Sequence, residues 1–130
     1  MTTHSPQEKP KVLLIEDDPL FQELAGAVLS PHCMLFIAST IEEGEHILST
    51  HEDMSVLILD GRVPLSRRDV RMGTTLLLAE NIMHVRGDSI TLFAASGDAL
   101  LNAAFVNIGA RSTDKFTAYA AAARFLCGRE

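Results

Sequence analysis

The chain has 130 residues, enough for one domain with a core of its own. Its hydrophobic content of 47% and charged content of 22% are those of a globular protein, and a formal charge of −6 argues against general nucleic-acid binding. No apolar run is long enough to span a bilayer, which argues against a membrane partner. The only two cysteines, Cys33 and Cys127, lack metal-type spacing and suit a reducing cytoplasm.

Residues 1–10 are polar, carry Pro6 and Pro10 and lack an apolar signal core, so they read as a disordered leader to one domain over residues 11–130. Residues 11–15 form a short aliphatic run that predicts a buried strand. Asp18-Pro19 reads as an N-cap followed by proline at the first helical position, opening a helix that Ser30-Pro31-His32 ends. Residues 33–38 predict a second strand. Ser39 or Thr40 can cap the next helix, where Glu42, Glu43 and Glu45 suit the positive end of the helix dipole. Residues 56–59 predict a third strand.

Beyond it, Gly61-Arg62-Val63-Pro64 leads into a polar stretch that runs to Met72, and residues 73–85 carry a helical pattern. Residues 90–95 predict a fourth strand, Ser96-Gly97-Asp98 a turn, and residues 99–107 a short helix stopped near Gly109. Residues 110–115 predict a fifth strand of polar character, and residues 117–127 an Ala-rich final helix. Five alternations of strand and helix argue for an α/β fold: a doubly wound, five-stranded parallel sheet with helices on both faces. Ligands of such sheets bind beyond the carboxyl ends of the strands.

Two strands end in carboxylates. Val12-Leu13-Leu14-Ile15 runs into Glu16-Asp17-Asp18, and Val56-Leu57-Ile58-Leu59 runs into Asp60. Side by side, they would gather Glu16, Asp17 and Asp60 into one acidic pocket. Carboxylates that close repel unless a cation neutralises them or one takes a proton. An all-oxygen donor set favours a hard ion such as Mg²⁺, and a carboxylate beside Mg²⁺ can attack phosphorus. The chemistry indicated is phosphoryl transfer to an aspartate. Asp18, just outside the pair, reads as a helix cap. The five histidines show no metal-ligand spacing.

Together with Pro64, Ala95-Ser96-Gly97-Asp98 and Gly109-Ala110, these pieces resemble the receiver domain of two-component response regulators, over roughly residues 11–127. The resemblance implies the flavodoxin-like receiver fold and a role in a phosphorelay. It implies that Asp60 accepts a phosphoryl group from a histidine kinase or phosphotransfer protein. It assigns Mg²⁺ to Asp17 and Asp60, to Glu16 through water, and to the backbone carbonyl of Arg62. Pro64 matches the proline that shapes the loop after the acceptor. Output would pass to a downstream protein target, and the chain would be no enzyme beyond self-catalysed phosphotransfer and dephosphorylation at Asp60. The final helix, with its small residues, suits a homodimer, since receiver dimers often use that region.

The chain departs from the family pattern in three places. Ala94 stands where the family has a hydroxyl that contacts the phosphoryl oxygens, with Ser96 as the nearby substitute. Lys115 is the candidate for the family's cation, although it comes about one residue early and lacks the proline that follows it, and Ser112 replaces the aromatic switch residue. Between Pro64 and Gly73 lies a long loop holding Arg67, Arg68 and Arg71, either a solvated mobile loop or a partner contact or lid over the pocket whose guanidinium groups could meet an anion. These departures keep open a second reading, an atypical receiver that binds proteins independently of phosphorylation. A free-standing Mg²⁺-dependent phosphatase is disfavoured, because Arg62 stands where a second aspartate would be needed.

Overall fold

A computed structural model describes residues 9–128 apart from residue 116, and within that range it does not describe the side chains of Ser112 and Thr113. In chain order the elements are β1 (Lys11–Ile15), α1 (Pro19–Leu29), β2 (Met34–Ala38), α2 (Ile41–Thr50), β3 (Met54–Leu59), β4 (Arg62–Pro64), β5 (Met72–Thr74), α3 (Leu76–Arg86), β6 (Thr91–Ala95), α4 (Ala99–Asn107), β7 (Arg111–Thr113) and α5 (Ala118–Gly128). Five strands form one parallel sheet in the order β2-β1-β3-β6-β7. β4 and β5 form a separate antiparallel pair.

The strands are apolar without alternation because both faces are covered. Leu13, Ile15, Leu57, Leu59 and Leu92 pack under α2, α3 and α4, with Leu48, Leu78 and Phe105 among their partners. Val12, Leu14, Val56, Ile58 and Phe93 pack under α1 and α5 with Leu29, Tyr119 and Ala122. Each fully buried Leu or Ile contributes roughly 1.5–3 kcal/mol to holding these layers together. The chain leaves β1 outward to β2, then crosses back to β3, β6 and β7. The topological switch point therefore lies between β1 and β3, at the carboxyl ends of the two strands that carry the acidic residues. Gly44 lets α2 lie against this end of β1, since a Cβ there would overlap the Ile15 side chain.

Several boundaries differ from the sequence expectations. Cys33 precedes β2, where its buried thiol donates to the Leu29 carbonyl at 3.3 Å. β3 starts two residues earlier than expected, at Met54, whose side chain is buried. The expected helix over residues 73–85 begins only at Leu76, because Gly73 and Thr74 belong to β5. The polar stretch before it is not an open loop: its ends pair as β4 and β5. The fifth strand is confined to Arg111–Thr113 rather than residues 110–115. Of the leader expected over residues 1–10, residues 1–8 lie outside the described range, and Pro10 already accepts a backbone hydrogen bond from Met34 at 2.9 Å. No helix among the described residues is long and apolar enough to cross a membrane.

Candidate functional site

The sheet ladder itself builds the site. At the end of β1 the Glu16 amide donates to the Ala38 carbonyl at 2.9 Å, and at the end of β3 the Asp60 amide donates to the Ile15 carbonyl at 3.0 Å. These bonds extend the parallel pairing one residue past each strand and bring the two carboxyl ends level. One carboxylate oxygen each from Glu16, Asp17 and Asp60 then lie within 4.8 Å of one another. Glu16 is only 1% exposed. Its Oε2 accepts from the Asp18 amide at 2.9 Å, and its Oε1 faces the Lys115 Nζ at 3.2 Å. Asp18 itself caps α1, accepting from the Leu20 amide at 2.9 Å, as its sequence position suggests. Gln22 secures the corner by donating to the Glu16 carbonyl and the Ser39 hydroxyl.

Lys115 reaches this cluster from the far end of the sheet. Its ammonium lies 3.3 Å from Asp60 Oδ2 and 4.4 Å from the centre of the Phe21 ring. A cation over an aromatic face gains about 0.5–2 kcal/mol. Phe21, on the first turn of α1, thus helps to hold the lysine, and no local sequence pattern pointed to it. Burial pushes the Glu16 carboxyl from its ordinary 4.5 up to about 7; the Asp18 amide opposes this, the Asp60 charge adds to it, and Lys115 opposes it. Burial also raises Asp60, although the Lys115 ammonium pulls it back. For Lys115, burial disfavours the charge, but the carboxylates of Asp60 and Glu16 outweigh it and raise the ammonium's pKa. Tyr119, buried on α5, is raised by burial and further by the charges of Glu16, Asp60 and Asp18.

The peptide after Asp60 is clamped. Thr75, fully buried at the head of α3, donates from its hydroxyl to the Asp60 carbonyl at 2.8 Å and from its amide to the Gly61 carbonyl at 3.0 Å. A threonine at this position would ordinarily cap its helix, but here the hydroxyl serves the Asp60 carbonyl and makes no capping bond. Reading a helix from residue 73 had hidden that cap position. Gly61 is needed for close approach, since a Cβ there would lie 2.8 Å from the Ser96 hydroxyl and 2.5 Å from Leu101.

The register of the hairpin assigns its backbone groups. Thr75 donates to Gly61 and Leu65 to Arg71, each at 3.0 Å, and Arg62 pairs with Thr74, Val63 with Gly73 and Pro64 with Met72. In an antiparallel ladder hydrogen-bonded and non-hydrogen-bonded pairs alternate. Residues 61, 63 and 65 therefore turn their N–H and C=O groups toward β5, while Arg62 and Pro64 turn theirs away. The Arg62 carbonyl is free of β5, as a ligand carbonyl must be. Pro64, which has no N–H, sits where none is required. The Arg62 guanidinium lies 2.9 Å from Asp98, the residue that caps α4.

The β6 side of the site is different. Ala94 is a fully buried methyl opposite Leu59. The Ser96 hydroxyl accepts from the Asp98 amide at 3.1 Å, so it serves the turn into α4. Ser112, the expected replacement for an aromatic switch, is described only as backbone in β7. The three arginines do not join the acidic cluster. Arg71 pairs with Asp69, while Arg67 and Arg68 are exposed and make no ion pair among the described residues.

The donor set fits a divalent ion. Fully ionised, three carboxylates beside one ammonium leave two negative charges, which one such ion would balance. Mg²⁺ takes oxygen ligands and keeps several waters, so Asp17, Asp60 and the Arg62 carbonyl could hold it, with Glu16 reaching it through water.

No protein-family model matches the chain, and no curated protein matches it. Solved structures do. A response regulator receiver domain protein from Clostridium thermocellum superposes with a TM-score of 0.75 at 16% identity, covering 91% of each chain. The signal receiver domain of an HD domain-containing protein from Pseudomonas fluorescens gives 0.71 at 18% identity, covering 88% of this chain and 82% of that one. The receiver domain of the Saccharomyces cerevisiae response regulator Ssk1, solved with the histidine phosphotransfer protein Ypd1, gives 0.65 at 17% identity, covering 83% and 79%. With the sheet order, the switch point and these superpositions in hand, the fold is that of a response regulator receiver domain.

Proposed function

We propose that the chain is a receiver module that accepts a phosphoryl group on Asp60 and signals through protein contacts. The observation that carries this reading is the surrounding of Asp60: two further carboxylates within 4.8 Å and the Lys115 ammonium at 3.3 Å. The carboxylate is the nucleophile. An Asp60 oxygen forms the new bond to phosphorus while the donor's phosphorus–nitrogen bond breaks, leaving the electron pair on the donor imidazole. Lys115 is placed to neutralise charge on the phosphoryl oxygens as they arrive. A bound Mg²⁺ supplies further neutralisation of that charge. Asp17, Asp60 and the Arg62 carbonyl would hold the ion, with Glu16 reaching it through water, and Thr75 fixes the peptide that carries Asp60.

The donor in this reading is a histidine kinase or a phosphotransfer protein, as the complex of the Ssk1 receiver with Ypd1 illustrates for a related fold. The receiver of the phosphoryl signal is a protein target, and the setting is the cytoplasm. A second reading rests on Ala94: with a buried methyl in place of the hydroxyl, phosphoryl uptake need not alter the surface, and binding would be independent of phosphate.

Intact mass after incubation with Mg²⁺ and acetyl phosphate, repeated with a phosphorylated histidine phosphotransfer protein, tests the first reading. A gain of one phosphoryl group that Asp60→Asn abolishes is expected. A folded protein that gains none from either donor would leave the phosphate-independent binding module as the better account.

A further inference from the structure

Two features of the surface have no part in phosphoryl transfer, and they are complementary. The first is the tip of the β4–β5 hairpin. It is an ordered element: Leu65 donates to Arg71, Ser66 to Asp69, and Asp69 to the Ser66 hydroxyl, each at 3.0 Å. The hairpin is pinned to the start of α2, where Glu42 donates to the Leu65 carbonyl at 3.0 Å. On this rigid support stand Val70, 72% exposed, and Met72, 54% exposed, beside the exposed Arg67 and Arg68. Asp69 neutralises Arg71 but leaves these two guanidinium groups to solvent, a cationic island on a protein of charge −6.

The second feature is a groove of about 330 Å³ between the later parts of α2 and α3. Leu48, Leu78, Ile82 and Val85 line it, Val85 being 76% exposed, and Glu45 stands at its rim. Arg86, also in its wall, is committed to the Leu48 and His51 carbonyls at the end of α2, at 2.8 and 3.3 Å. Arg86 keeps its charge but turns it to the carbonyl end of α2, where the helix dipole is negative, and the carboxylate of Glu45 is the anionic group the groove presents to an incoming cation.

We propose that the hairpin of one copy docks in the α2–α3 groove of a second copy, with Val70 and Met72 entering the apolar floor and Arg67 and Arg68 meeting Glu45. The charges are opposite in sign, and the groove has room for these apolar side chains. The hairpin is held at the first residues of α2 and cannot fold back along its own helix, so the contact is intermolecular. A two-fold arrangement seats each hairpin in the other copy's groove and doubles the buried surface. This pairing requires neither Mg²⁺ nor phosphorylation and leaves the final helix free.

Sedimentation equilibrium of the full chain in metal-free buffer, over a concentration series, tests this. A concentration-dependent dimer that weakens as salt is raised is expected. The paired change Arg67→Glu with Arg68→Glu is expected to weaken it by about tenfold or more, as is Glu45→Arg alone. Combining all three changes is expected to recover most of the affinity, which a variant that merely unfolds could not do. Val85→Ser is expected to weaken the dimer without changing the secondary structure seen by circular dichroism. A chain that stays monomeric at every concentration would overturn the proposal. So would a dimer indifferent to these changes, or a hairpin that binds another protein while the chain itself remains monomeric.

Discussion

The carboxyl ends of β1 and β3 and those of β6 and β7 face the same pocket but are built to different standards. On the β1–β3 side Glu16 is tied to the Asp18 amide and Asp60 to Ile15 and Thr75, and Lys115, reaching across from beyond β7, meets both carboxylates and the Phe21 ring. On the β6–β7 side Ala94 contributes a methyl, Ser96 is occupied with a turn, and β7 spans three residues. On the proposed reading one half would take up the phosphoryl group, and the other, with Ala94, lacks the hydroxyl that would report it. If that reading holds, the contrast makes capture of a phosphoryl group and its readout separable tasks, assigned to different strand ends.

The largest effect after loss of Asp60 itself is expected from the shared cation. Lys115→Ala should slow phosphoryl uptake from acetyl phosphate by roughly a hundredfold, as loss of one charge-stabilising donor typically does. Phe21→Leu, which keeps the bulk and removes the aromatic face, should give a several-fold loss. If both variants take up phosphate at the wild-type rate, Lys115 belongs to the structure rather than to the chemistry. Thr75→Val should lower stability by about 1–3 kcal/mol in urea unfolding, because it strips a buried carbonyl of its partner.

A pH series sharpens the comparison without a mutation. Glu16 is raised from 4.5 to about 7 in the folded protein, and Asp60 is raised as well. The folded state therefore holds these protons more tightly than the unfolded chain does. Their stabilising effect is present at low pH and is lost as pH climbs from 4.5 to about 7. The Lys115 ammonium is raised, so its contribution persists through that window and is lost only at more alkaline pH. In metal-free buffer the Tm should fall across the window, and Mg²⁺ added above it should restore the loss. A Tm that rises with pH, or that ignores Mg²⁺, would break the reading of the β1–β3 end as a cation site.

The smallest effect is expected from Ala94→Ser. A slight overpacking cost of about 1 kcal/mol should accompany a new dependence of partner binding on phosphodonor, measurable by titration calorimetry against the cognate protein. If binding already responds to phosphodonor in the wild type, the β6–β7 end reads out by a route other than this hydroxyl.

The acidic half was legible in the sequence for a physical reason. A doubly covered parallel strand is an unbroken aliphatic run, and a carboxylate following such a run must lie at a sheet end, as Glu16 and Asp60 do. The hairpin was not legible. Its strands have three residues each, too few to show alternation, and they contain Pro64 and Gly73, which read as breaks. The leucines after Thr75 then drew the predicted helix backward over β5 and concealed Thr75 as the clamp on Asp60. Whether Lys115 reaches Asp60 could not be read from spacing, because the answer depends on how β7 lines up beside β6, a contact between distant parts of the chain.

The meeting of Gly61 and Thr75 has an engineering consequence. Joined by a backbone hydrogen bond, they form the neck of the hairpin, and partners of this kind sit with Cα atoms about 5.5 Å apart. Everything from residue 62 to residue 74 leaves and re-enters the domain through that neck. The tip of this segment, residues 66–70 beyond the Leu65–Arg71 hydrogen bond, is thus a cassette: it can be trimmed, lengthened or exchanged while Arg62, the buried Val63 and the two residues of the neck keep their places. A lineage could change its partners there without rebuilding its chemistry.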